Sequence, residues 1–142
     1  MKKRQTVFRL TLSSRPKAIT RVEPFLDKIR VELKLDDIQV NKLMVSVTEA
    51  VNNAIIHGNK QNPEKKVKIV GEILPGWLLV IISDQGRGFD PGQIRNPLQE
   101  ENLLRESGRG IFLMRTLMDK VEIDRTESGT EVRLWLNLNK QM

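Results

Sequence analysis

A chain of 142 residues is near the usual size of one domain, and 39% hydrophobic with 30% charged residues is the composition of a soluble globular protein with one core. It has no cysteine and a single histidine, which excludes disulfides, thiol catalysis and multi-histidine zinc sites. The net charge of +6 is dispersed: Lys2 to Arg4 and Lys65-Lys66-Val67-Lys68 lack interleaved aromatics and read as solvated surface, so no direct nucleic-acid partner is expected.

Residues Thr6 to Leu12 alternate, with Phe8, Leu10 and Leu12 on one side, as a half-buried strand does. Ser13 or Ser14 is placed to cap a following helix that has Pro16 in its first turn. Ile19, Val22, Phe25, Leu26, Ile29, Leu33 and Leu35 form its apolar stripe, and Pro24 should kink or restart it, with a kinked helix the expected outcome. Asp36 and Asp37 then supply a cap for a long helix from about Ile38 to His57. Leu43, Val47, Val51, Ala54 and Ile55 make its buried stripe, and Gly58 is expected to stop it as a C-terminal glycine.

A polar connection, Gly58 to Pro63, leads to strands over Lys66 to Leu74 and Trp77 to Ser83, paired across the Pro75-Gly76 turn. Asp84-Gln85-Gly86-Arg87-Gly88 follows, then a polar stretch from Gln93 to Ser107 that is long for a connection and is expected to be a mobile lid. Gly108-Arg109-Gly110 opens an apolar helix, Ile111 to Met118, and Val121 to Arg125 with Thr130 to Leu138 form a last hairpin. The order predicts a single α+β domain over 1–142: a two-layer sandwich with helices on one face of a mixed, largely antiparallel sheet. No apolar run approaches the about 20 residues of a membrane span. No signal-peptide core follows the basic N-terminus, so a cytoplasmic location is expected.

The chemistry concentrates on the long helix. Glu49, Asn53 and His57 recur at four-residue steps and stack on one face, within reach of a common ligand. Asn53 offers a neutral oxygen to Mg²⁺, which prefers oxygen ligands, and Glu49 one turn earlier is placed to take a proton from an attacking hydroxyl. Asn52 points about 100° away, which favours Asn53. The plain alternatives are a surface carboxylate, a helix-end amide and a packing histidine.

Asp84, at the end of an apolar strand, can accept a hydrogen bond from a base amine at a pocket floor, and Gly86 and Gly88 permit a positive φ and let the backbone approach a ligand closely. Gly108-Arg109-Gly110 at a helix start favours an anion through free N–H groups, with Arg109 adding a charge-assisted contact. It matches neither the Gly-x-x-x-x-Gly-Lys phosphate loop nor a dinucleotide fingerprint. The Thr130 hydroxyl lies in sequence where it could reach a base beside Asp84.

These segments, taken in order, resemble the successive boxes of the GHKL (Bergerat-fold) ATPases: Glu49-Ala50-Val51-Asn52-Asn53-Ala54-Ile55-Ile56-His57-Gly58, then Asp84-Gln85-Gly86-Arg87-Gly88, then Gly108-Arg109-Gly110. Within that superfamily the chain is most similar to the anti-sigma-factor serine kinases of the RsbW and SpoIIAB type. The resemblance implies that Asn53 coordinates Mg²⁺, that Glu49 is the catalytic base, and that Asp84 binds the adenine amino group with support from Thr130. It implies that Gly86, Gly88, Gly108, Arg109 and Gly110 frame the ATP phosphates and lid. It further implies transfer of the γ-phosphate to a serine of a STAS-domain anti-anti-sigma antagonist, sequestration of a sigma factor, and often a homodimer. The rival readings are a nucleotide-gated binding module without kinase activity and a detached histidine-kinase ATPase domain.

Overall fold

The alternating start of the chain becomes strand β1 (Thr6–Ser13) in the computed structural model, which describes residues 6–86 and 109–139. Leu12 is fully buried, and Phe8 and Leu10 pack against the same core. A 3₁₀ turn (Pro16–Arg21) leads into helix α1 (Val22–Leu33). Pro24 restarts the helix rather than kinking it. It sits in the first turn of α1, where its missing N–H has no intrahelical partner to lose. Neither serine caps this segment: the N-cap of the 3₁₀ turn, Arg15, makes no side-chain cap bond, and the Ser14 hydroxyl donates to the Lys65 carbonyl at 2.6 Å.

Helix α2 (Asp37–Asn53) begins with a full capping box. Asp36 accepts the Gln39 N–H at 2.8 Å, and Gln39 Oε1 accepts the Asp36 N–H at 3.0 Å. Leu43, Val47, Val51, Ala54 and Ile55 are all buried, as the helical period requires. The last turn departs from expectation. Ala54–Gly58 is a π-helical turn, in which the Asn59 N–H reaches the Ala54 carbonyl at 2.8 Å. Gly58 does not terminate it by a positive φ; the left-handed positions come later, at Lys60 (φ 51) and Gln61 (φ 57).

Strands β2 (Lys66–Leu74) and β3 (Trp77–Ser83) form the expected hairpin, with Gly76 at φ 78 in the turn. Residues 109–117 are helical, in helix α3, and β4 (Lys120–Thr126) and β5 (Gly129–Asn137) form a second hairpin. Among the described residues the sheet has five strands, in the order β1-β2-β3-β5-β4. The expected mixed, largely antiparallel sheet is antiparallel at each of these pairings. Its inner face, with Val67, Ile69, Leu78, Val80, Ile82, Leu134 and Leu136, packs on Phe25, Leu26 and Ile29 of α1, Leu43, Val47 and Val51 of α2, and Met114 of α3. Burial of this apolar area is the main force holding the layers together.

The outer face carries Trp77 and Trp135 edge to face at 6.0 Å. Beside them Arg133 pairs with Asp124, Glu131 and Glu122. Among the described residues no helix is long and apolar enough to cross a membrane. The expected lid, together with Gly88 and Gly108, lies outside the described residues.

Candidate functional site

Two clusters of predicted residues take shape where the C-terminal half of α2 meets the sheet. The first joins α2 to α3. A methyl group on Gly110 would stand 3.0 Å from Asn53 Nδ2 and 3.1 Å from Glu49 Oε2. The absence of a side chain there thus lets this part of α3 lie directly on the carboxylate and carboxamide of α2. Four-residue spacing along an α-helix puts Glu49 and Asn53 on that face. Asn53 is half-buried and Asn52 exposed. Arg109, one residue ahead of Gly110, is helical and exposed.

The second cluster surrounds Asp84, the residue that follows β3. Its backbone N–H donates to the Thr130 carbonyl at 3.0 Å, extending the β3–β5 pairing by one step. Its Oδ1 accepts the N–H groups of Thr130 and Gly86, each at 3.0 Å. Its Oδ2 lies over the α-carbon of Gly58, so closely that any side chain at 58 would overlap the carboxylate. Gly86 in turn lies on the Gly58 carbonyl, and Gly129, at φ 145, on the Asp84 carbonyl.

The glycines therefore serve close approach. Gly86 in particular does not use the positive φ that its sequence context suggested. Thr130 meets Asp84 through its backbone N–H and carbonyl rather than through its hydroxyl. Burial pushes the Asp84 carboxyl above its usual range, opposed by the Thr130 and Gly86 N–H groups and by the charge of Lys65.

Gly58→Ala is expected to destabilise the fold by about 1–3 kcal/mol, the usual cost of overpacking a tight contact. Its methyl group would displace Asp84, so thermal melting and nucleotide titration should both register the change.

His57 is half-buried in the π-helical turn, next to the Gly58–Asp84 contact. It follows Asn53 by four residues, across the change from the α-helical to the π-helical turn. Among the described residues no group of three or more His, Cys, Asp or Glu converges in the manner of a chelating metal site. One carboxylate and one carboxamide beside an open backbone suit a cation that takes its other ligands from phosphate and water.

One residue of the region carried no functional expectation. Asn59 is 1% exposed, and its side chain bonds to Ser14, Lys66 and Gln85. The polar run Gly58 to Pro63 reads as turn chemistry, and nothing local marks one member of it as buried.

The family profile described as a histidine kinase-like ATPase domain matches residues 12–136. The serine-protein kinase RsbW of Staphylococcus epidermidis is 36% identical over 119 residues, 79% of this chain and 73% of that protein. The anti-sigma F factor of Heyndrickxia coagulans is 34% identical over 136 residues, 93% of this chain and 91% of that protein. Among solved structures, that of the RsbU and RsbW domains of a Mycobacterium tuberculosis protein superposes with a TM-score of 0.67. At 16% identity that likeness concerns the fold alone; it covers 93% of this chain and 32% of the other.

Proposed function

The chain belongs to the histidine kinase-like ATPase family, and we propose that within it this protein is an ATP-dependent serine-protein kinase and anti-sigma factor. It sequesters a sigma factor and phosphorylates a serine of a STAS-domain anti-anti-sigma antagonist. It works in the cytoplasm, and a homodimer is its proposed assembly. The observation that supports the reading is the close approach of Gly110 to Glu49 and Asn53, the residues proposed as base and metal-ligating amide.

The proposed division of labour follows from the two clusters. Asp84 Oδ2 accepts a hydrogen bond from the adenine amino group, because Oδ1 is already engaged by two backbone N–H groups. The triphosphate then extends toward Gly110 and Arg109, where backbone dipole and guanidinium favour negative charge. Asn53, whose Nδ2 faces Gly110, has Oδ1 to offer a magnesium ion. When bound, that ion neutralises charge on the phosphate oxygens.

Glu49 is the proton acceptor. As the partner's serine Oγ bonds to the γ-phosphorus and the bond to the ADP oxygen breaks, Glu49 takes the hydroxyl proton. Nucleotide and phosphorylation state then bias which partner is held, since each partner binds one state of the site better than the other.

Incubation of the full chain with γ-labelled ATP, Mg²⁺ and candidate STAS proteins tests the reading. Label is expected on a serine of one antagonist, and capture with ATP or ADP should retain different partners. Asn53→Ala should lose Mg²⁺-dependent nucleotide binding, with affinity lowered about tenfold or more for the loss of a charge-assisted ligand. Saturable ATP binding with no transfer to any candidate would favour the non-catalytic binding module instead.

A further inference from the structure

Asn59 joins four segments that are distant in sequence. Nδ2 donates to Ser14 Oγ at 2.8 Å and to the Lys66 carbonyl at 3.0 Å, while Oδ1 accepts the backbone N–H of Gln85 at 2.8 Å. The Asn59 N–H closes the π-helical turn on Ala54. Gln85 returns the connection: its Oε1 accepts the Lys66 N–H at 2.6 Å. The end of β1, the end of α2, the start of β2 and the loop after β3 are thereby tied at one buried carboxamide.

Among the described residues beyond Ser83, the last residue of β3, the chain keeps a strand-like bond at Asp84. At Gln85 the backbone N–H turns inward to Asn59, and at Gly86 it turns back to Asp84 Oδ1. A buried polar side chain with all its bonds made specifies one arrangement, because any displacement leaves unpaired groups. Here the arrangement specified is the passage of residues 84–86 over Gly58, with Asp84 Oδ1 held by its two backbone donors and Oδ2 set against Gly58.

We propose that Asn59, assisted by Gln85, is a positioning residue for base selection: it clamps the 84–86 loop so that Asp84 Oδ2 stays where a 6-amino purine can donate to it. The inference rests on the base-reading role given to Asp84 above. It makes Asn59 act through Asp84, without touching the nucleotide. The phosphate-facing cluster of Glu49, Asn53 and Gly110 has none of its named contacts with Asn59, so the clamp should govern which base is accepted and leave the phosphates' share of affinity intact.

The test is the ratio of dissociation constants for ATP and inosine triphosphate, whose base carries an oxygen in place of the amino group. It is measured with Mg²⁺ on the full chain and on Asn59→Ala, Gln85→Ala and Asp84→Ala. Asn59→Ala is expected to lower the preference for ATP about tenfold by weakening ATP while inosine triphosphate holds. Gln85→Ala, at an exposed side chain, should lower it by about threefold and carries the test if the Asn59 variant folds poorly. Adding Asn59→Ala to Asp84→Ala should change the ratio no further.

Equal weakening of both nucleotides would reduce Asn59 to a structural role and overturn the proposal. If Asp84→Ala abolishes the preference while Asn59→Ala and Gln85→Ala keep it, the clamp alone is wrong. If Asp84→Ala keeps it too, the base-reading role of Asp84 falls and the clamp with it.

Discussion

Asp84→Asn is expected to turn the nucleotide preference around. Asparagine can keep its oxygen in the Oδ1 place, where the Thr130 and Gly86 N–H groups hold it. Its NH₂ group then occupies the Oδ2 place and points a donor at the donor of adenine. Two opposed donors lose a hydrogen bond and leave buried polar groups unpaired, a cost of about 1–3 kcal/mol, so ATP affinity should fall by about 10- to 100-fold. A 6-oxo purine presents an acceptor at the same point and should gain. Calorimetric titration with ATP and inosine triphosphate checks this, and unchanged preference would remove Asp84 from base recognition.

The same substitution should leave the empty protein as stable as the parent, or more so. Burial raises the Asp84 carboxyl above its usual 3.8, more strongly than Thr130, Gly86 and Lys65 can offset. A carboxyl raised in this way stabilises the fold fully below the unfolded value, and that contribution is lost as pH rises through the higher folded value. At neutral pH the ionised group is therefore a net cost to the empty fold. Asp84→Asn removes that cost, and the difference should vanish below pH 3.8. Thermal melts at neutral and acidic pH measure it. A neutral-pH loss of stability would mean that the carboxylate supports the fold rather than the ligand.

Glu49→Gln is expected to separate binding from transfer. Glutamine keeps the size of the side chain beside Gly110 and still lets α3 lie against α2. It cannot take the proton of an incoming serine hydroxyl. Loss of a general base typically lowers the rate by about 10²–10⁴-fold, and the transfer rate at saturating ATP should fall by that much while the dissociation constant for ATP stays near that of the parent. Label transfer and calorimetry on the same preparation decide it. Equal transfer rates for variant and parent would take Glu49 out of the base role.

Much of this site is written in local spacing. The stripe from Leu43 to Ile55 and the Glu49–Asn53 pair follow from the helical period, and the structure buries the first and sets the second against Gly110. The placement of Asp84 follows from an apolar strand that ends in a carboxylate and glycines.

Other features depend on what the fold brings near. Gly58 and Gly86 suggested a helix stop and a left-handed loop, but each is required because another backbone or side chain lies on it. Such contacts have no local signature. Asn59 is the clearest case: its partners Ser14 and Gln85 are 45 and 26 residues away, so a residue that belongs to the core reads as one of several turn formers. The π-helical turn belongs with it, since the buried Asn59 backbone completes that turn on Ala54.

The central claim is that the end of α2, the Asp84 loop and the start of α3 form one site for magnesium-bound ATP. Its most direct measurement is calorimetric titration of the full, folded chain with ATP, with and without Mg²⁺. Saturable binding that strengthens with Mg²⁺, weakens in Asp84→Asn and loses its Mg²⁺ dependence in Asn53→Ala is the predicted result. No saturable heat at millimolar ATP with Mg²⁺ present would contradict it.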